Sequence, residues 1–193
     1  MWLNGRSSTA PSGTKNSMPW MPSWRKSTNL PKTKNSVYFS AKRQYMETRL
    51  MIEAVLDIFI GADERDWDRC LRAFAPTVHL DYTSMAGGQP ADLPAAAIVD
   101  AWKGFLPRFK ATHHQLGNFT VSVKGEEAIV FFYGTATHYF PAGTGGNVWT
   151  VVGTYDAKLI QQDGRWKVSM LRLNLKYQDG NLALPELAGA AAS

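Results

Sequence analysis

One cysteine in 193 residues, Cys70, excludes an internal disulfide and any zinc site built from several thiolates. Long apolar runs are also missing, and none approaches the roughly 18–20 residues that a membrane-spanning helix needs. No membrane partner is therefore expected. Histidine occurs only four times, with no His-x-His or His-Glu-x-x-His pattern, so no metal is expected. No glycine-rich loop follows a strand and opens a helix, because "GGQP" and "GTGGN" read as turns. Acidic residues are absent from one whole region. Residues 1–45 carry 8 Lys or Arg and no Asp or Glu, whereas residues 46–193 carry 13 Lys or Arg against all 16 acids, a net −3. The overall +5 belongs to the first stretch, and nothing in 46–193 forms a basic stripe for phosphate backbones. Nucleic acid is excluded as the main ligand.

What is present suffices for one domain, since 45% apolar content over this length can fill a core. Residues 1–45 are rich in Ser, Thr, Asn and Lys with four prolines and no sustained period. Such composition does not offset its ordering entropy, so a disordered basic extension is expected. An organelle transit peptide is the alternative reading, against a cytoplasmic default. Met46 opens the first convincing helix, with Leu50, Met51, Val55, Ile58 and Phe59 on one face and an end near Gly61. A second helix, capped by Asp66, is predicted from Trp67 to about Phe74, with Cys70 as a small core residue. "VHLDY" alternates as a strand, with Val78, Leu80 and Tyr82 on one side and His79 on the other. "MAGGQPADLP" reads as a loop. A third helix over 95–106 turns Ile98, Ala101, Trp102 and Phe105 inward, and Pro107 ends it.

From there the period shortens to two. Strands are predicted over 113–123, 127–140, 148–161 and 165–176, separated by turns at Lys124-Gly125, "PAGTGG" and "QDG". Helices, a strand, a helix and a meander of long strands argue for an α+β fold, with helices on one face of a curved antiparallel sheet. The body spans 46–185, and residues 186–193 read as a loose tail.

Several residues carry possible chemistry. His113 and His114 adjoin on one strand, so without a bulge they face opposite sides and only one reaches an interior. Asp63, in "GADERDWD", reads on its own as a capping or loop acid. Tyr82 reads as a core tyrosine whose hydroxyl needs a partner. His138 shares its parity with Phe132, Gly134 and Ala136, and two small residues on that face suit the border of a cavity. Trp102, Phe105, Phe132, Trp149, Val151 and Met170 could line an apolar pocket for a flat aromatic or polycyclic molecule, or could equally be plain core.

The element order, with "DERDWDRCLRAFAPTVHLDYTS" and "THHQLGN", resembles the SnoaL-like branch of the nuclear transport factor 2 (NTF2-like) superfamily, and within it scytalone dehydratase. The likeness covers about 46–185. It implies a cone: a strongly curved sheet around a deep pocket, closed by three N-terminal helices, commonly paired into a dimer or trimer through the sheet's outer face. It implies that His114 is the working histidine, oriented by Asp63, with Tyr82 polarising a carbonyl and His138 holding the substrate or leaving group. The chain departs from that pattern at Ala62, where a tyrosine is expected, and at Gly153 and Tyr155, where a serine and an asparagine are expected. The implied function is a cofactor-independent lyase or isomerase, dehydratase-like, acting next to a carbonyl of an aromatic or polyketide-like molecule. A non-catalytic small-molecule-binding module and a polyketide cyclase are the alternatives, because the superfamily includes both.

Overall fold

The computed structural model describes residues 32–191, and the expectation for the first 31 residues lies outside them. The chain divides into two compact units, Met1–Tyr38 and Phe39–Ser193, and the second contains every candidate residue. The first helix, α1 (Lys32–Glu64), starts well ahead of Met46 and runs past Gly61. Its inward face is narrower than expected: Met51, Ala54, Val55, Ile58, Phe59 and Ala62 are buried, whereas Leu50 is 48% exposed. The helix stops because Arg65 adopts a left-handed conformation (φ 62°), the usual terminator geometry. Asp66 then caps α2 (Trp67–Ala73) by accepting from the Arg69 backbone N–H at 2.9 Å. Within α2, Cys70 is fully buried and its Sγ lies 3.3 Å from the Ile58 carbonyl. Burial pushes that thiol up to about 11, which suits an inert core residue.

Six strands form one curved, unclosed sheet in the order β2-β1-β6-β5-β4-β3. They are β1 (Phe74–Asp81), β2 (Ala91–Pro94), β3 (Ala111–Lys124), β4 (Glu127–Tyr139), β5 (Val148–Gln162) and β6 (Arg165–Gly180). All pairings are antiparallel except β1 with β6, which is parallel. Between β1 and β2 lies a single helical turn, α3 (Thr83–Ala86), so the expected 85–94 loop contains both the end of that turn and an edge strand. Helix α4 (Ala95–Phe105) buries Ala95, Ile98 and Val99, while Ala101 is exposed; a 3₁₀ turn (Leu106–Arg108) follows it. The last helix, α5 (Leu184–Ala190), replaces the expected loose tail and seats Leu184 and Ala188 in the core.

The four long strands match their sequence signal closely because one face is apolar and the other is wet. Along β4, Ala128, Val130, Phe132, Gly134, Ala136 and His138 are buried, and every alternate residue is more exposed. The outer face still shows Ile129, Tyr133 and Tyr139 on β4 and Tyr177 on β6. Among the described residues no helix is long and apolar enough to cross a membrane.

Candidate active site

A cavity of about 180 Å³ lies against the inner face of the sheet, at the end where β4 and β5 carry His138 and Trp149. Of the residues singled out in the sequence, Tyr82, Trp102, Phe105, His114, His138, Trp149, Val151 and Tyr155 line it. Phe132, Gly153 and Met170 do not, each for its own reason. Phe132 has the right parity but is fully buried behind Tyr155, stacked on its ring at 5.0 Å and 3°. Gly153 also faces inward, yet a Cβ there would lie 2.8 Å from Leu173 Cδ1 and 2.7 Å from the Asn174 carbonyl oxygen. Leu173 thus takes the space and itself reaches the cavity wall. Met170 is turned aside by a bulge: Val168 pairs with Leu159 and Met170 with Lys158, leaving Ser169 as an extra residue. One extra residue reverses the alternation, so Leu171 and Leu173 are buried and Met170 is not.

His113 is exposed and His114 faces the cavity, so the adjoining pair splits as strand geometry requires. Asp63, on the last turn of α1, grips His114 with both carboxylate oxygens. Oδ1 lies 2.8 Å from the ring Nδ1, and Oδ2 accepts the His114 backbone N–H at 2.6 Å. Both side chains are largely buried, at 16% and 13% exposure. Burial alone would raise Asp63, but the ring and backbone hydrogen bonds from His114, its charge and the Thr112 hydroxyl outweigh that and hold the carboxyl below its usual range. An ionised carboxylate only accepts, so it selects the tautomer with the proton on Nδ1. Nε2 is then the ring nitrogen left to the cavity, with a free lone pair.

His138 receives the opposite treatment. It sits diagonally across from His114 on the next strand, ring centroids 6.2 Å apart, and stacks on Trp149 at 4.4 Å with Phe109 at 4.9 Å. Burial first, then the charge of His114, lowers it to about 4, so it is neutral at pH 7. Its Nδ1 has no hydrogen-bond partner among the described residues. Tyr82 leaves β1's extended conformation and stands at the start of α3, where burial and then Tyr155 raise it well above 10. Tyr155 is pushed up to about 12 by burial. Both phenols therefore keep their protons and can donate. The Tyr155 ring lies flat because Gly134 faces it; a Cβ there would meet Tyr155 Cε2 at 2.6 Å.

Sequence reasoning missed Phe59, Met85, Leu106 and Leu173 on the cavity wall, and Arg65 and Thr112 behind the dyad. Phe59 had a signal, since it lies one helical turn before Asp63 and so shares its face. Met85 and Leu173 had none, because one depends on the α3 turn and the other on the bulge. No cluster of three or more His, Cys, Asp or Glu that could hold a metal occurs among the described residues.

The SnoaL-like domain family matches residues 44–172. No curated protein sequence matches the chain. Solved structures do. The Kfla4162 protein of Kribbella flavida superposes with a TM-score of 0.69 at 25% identity, covering 75% of this chain and 98% of that one. A protein of Novosphingobium aromaticivorans, provisionally assigned as a scytalone dehydratase, gives 0.63 at 19% identity, covering 72% and 91%. A type 2 hexachlorocyclohexane dehydrochlorinase, LinA, gives 0.60 at 17% identity, covering 72% and 92%. The last two likenesses speak for the fold, which hosts many activities. With two thirds of its length matched by that family and a curved sheet of the same fold, this chain belongs to the SnoaL-like family of the NTF2-like superfamily.

Proposed function

We propose that the protein is a cofactor-independent lyase or isomerase of the dehydratase kind, moving a proton beside a carbonyl group. The observation that carries this reading is the two-point grip of Asp63 on His114 at the wall of an apolar cavity. His114 Nε2 is the base. It removes a proton from the carbon next to the carbonyl, and Asp63 balances the imidazolium that forms. The enolate oxygen is met by donors that cannot ionise at neutral pH, the phenols of Tyr82 and Tyr155, with neutral His138 opposite. In a dehydration the imidazolium then returns its proton to the departing hydroxyl, which leaves as water. In an isomerisation the same proton goes back to carbon.

Size and charge narrow the substrate. A dry apolar cavity of roughly 150 Å³ accommodates benzene, so of the flat aromatic or polycyclic ligands expected from sequence, about 180 Å³ favours a single ring. No Lys or Arg lines the wall, which favours a neutral molecule. The two likenesses to a provisional scytalone dehydratase and to a dehydrochlorinase agree with elimination chemistry on a ring. Self-association as a dimer or trimer belongs to the same reading, supported by Ile129, Tyr133, Tyr139 and Tyr177 on the outer sheet face.

The test uses single-ring ketones, cyclohexanone for α-deuterium exchange in D₂O and 3-hydroxycyclohexanone for loss of water. Catalysed exchange or dehydration should fall about 10²–10⁴-fold in His114→Gln, the usual contribution of one general base. If the ketones bind, shifting the His114 and His138 ring signals, yet neither reaction exceeds the His114→Gln background, the chain is a binding module.

A further inference from the structure

Behind the dyad lies a second layer of polar groups that the reaction does not use directly. Arg65 Nη1 donates to the Ala62 carbonyl at 2.5 Å and to Thr112 Oγ1 at 2.9 Å, while Nη2 donates to the Leu106 carbonyl at 2.9 Å. Thr112 is 8% exposed, two residues before His114 on the same strand face, and its hydroxyl helps to lower the Asp63 carboxyl. The direction of this chain is fixed by chemistry. A guanidinium has no acceptor, so its bond to Thr112 uses an oxygen lone pair. The hydroxyl hydrogen is then free to be directed at a second acceptor. Asp63 receives two donors from one residue, the His114 ring and the His114 backbone. A carboxylate with two or three donors is held as the anion, and its oxygens cannot swing away without breaking one of them.

We infer that the Thr112 hydroxyl, fixed by Arg65, directs its hydrogen at Asp63, so that Arg65 and Thr112 are positioning residues, a guanidinium–hydroxyl relay that holds the carboxylate toward His114. This rests on the acid–base reading of the site and deepens it. The same guanidinium ties the end of α1, the turn after α4 and the start of β3 to one point, so the three elements that meet at the dyad share one anchor. Arg65 also holds a left-handed backbone that a residue with a side chain seldom adopts (φ 62°). Glycine would suit that backbone better, so an arginine there marks the side chain as the part that matters. The charged or titratable groups acting on Asp63 are Arg65 itself, His114 on β3 and His138 on β4.

The experiment is a ¹³C titration of the Asp63 carboxyl with the His114 ring ¹⁵N spectrum, on the full chain, in wild type, Thr112→Val, Thr112→Ser and Arg65→Gly. Thr112→Val removes only the hydroxyl and should move the Asp63 midpoint upward and mix the two His114 tautomers. Thr112→Ser should restore the wild-type values. Arg65→Gly relaxes the backbone and should still move the midpoint upward, and it decides the matter if Thr112→Val does not fold. An unmoved midpoint in the folded variants overturns the relay, as does Thr112→Ser moving as far as Thr112→Val. If the relay fails alone, Asp63→Asn still suppresses α-proton exchange. If the acid–base reading fails alone, the midpoints still move while wild type shows no exchange.

Discussion

The inner face of the sheet is built in two ways along its length. Toward the β3–β4 hairpin, Val130, Phe132, Ala157, Leu159, Val168 and Leu171 share a solid core with Met51, Val55 and Ile58, all essentially without exposure. Toward the other end the same strands carry His114, Ala136, His138, Trp149 and Tyr155 around open space. Along β4 and β5 the pairing is unbroken and the parity identical from one end to the other, so the difference there is in the side chains alone. Close packing stabilises the first region. The second gives up that contact and holds its polar groups by hydrogen bonds and aromatic stacking. On the proposed function, stability and chemistry thereby belong to different ends of one surface.

Substitutions that move atoms between these regions should break the comparison if it is wrong. The largest expected effect on folding comes from emptying the packed end: Leu159→Ala, at a fully buried site, should cost about 2–5 kcal/mol in chemical denaturation. Next come insertions. Ala157→Leu, in the solid core, should cost about 1–3 kcal/mol by overpacking. Ala136→Leu adds the same atoms beside the cavity and should change stability far less while abolishing ketone binding. Equal stability losses for the two insertions would deny that the ends differ. Gly153→Ser supplies a hydroxyl of the kind the scytalone dehydratase pattern expects, but it meets Leu173 and the Asn174 carbonyl. About 1–3 kcal/mol should be lost here too, and pairing it with Leu173→Ala should recover part of that.

Acid separates the two histidine environments more gently. His138 binds its proton near 6.5 when unfolded and near 4 when folded. Between those values the unfolded state holds more protons, so stability is full above pH 6.5 and is lost as pH falls through 4. The loss should be on the order of 3 kcal/mol, and His138→Phe should flatten it. The lowered carboxyl of Asp63 acts in a lower window: its contribution is present above the ordinary value of 3.8 and disappears as pH falls through the folded one. A curve for His138→Phe with the wild-type slope between 4 and 6.5 would place the responsible group elsewhere.

How much of this was legible in sequence follows from which interactions are local. Strands β3–β6 were readable because inside–outside alternation is imposed by the pleat itself, and Asp66 by its cap position. Met170 was misplaced because alternation is read as unbroken, and a single extra residue at Ser169 reverses it. The start of α1 was missed since the residues from Phe39 to Met46 are exposed and carry no apolar stripe to detect. Helix α5 was overlooked because an alanine-rich end reads as loose until Leu184 and Ala188 find the core. The residues Asp63, His114, Tyr82 and His138 were singled out through the family likeness, not by spacing. Arg65 and Thr112 were invisible, for they stand 47 positions apart and meet only once β3 lies against the end of α1.

The most direct measurement is the ring ¹⁵N spectrum of His114 in wild type and in Asp63→Asn, recorded where the imidazole is neutral. A working dyad gives one tautomer in wild type, proton on Nδ1 and lone pair on Nε2, and a mixture in the variant. A wild-type spectrum with mixed tautomers would contradict the claim that Asp63 aims His114 at the cavity.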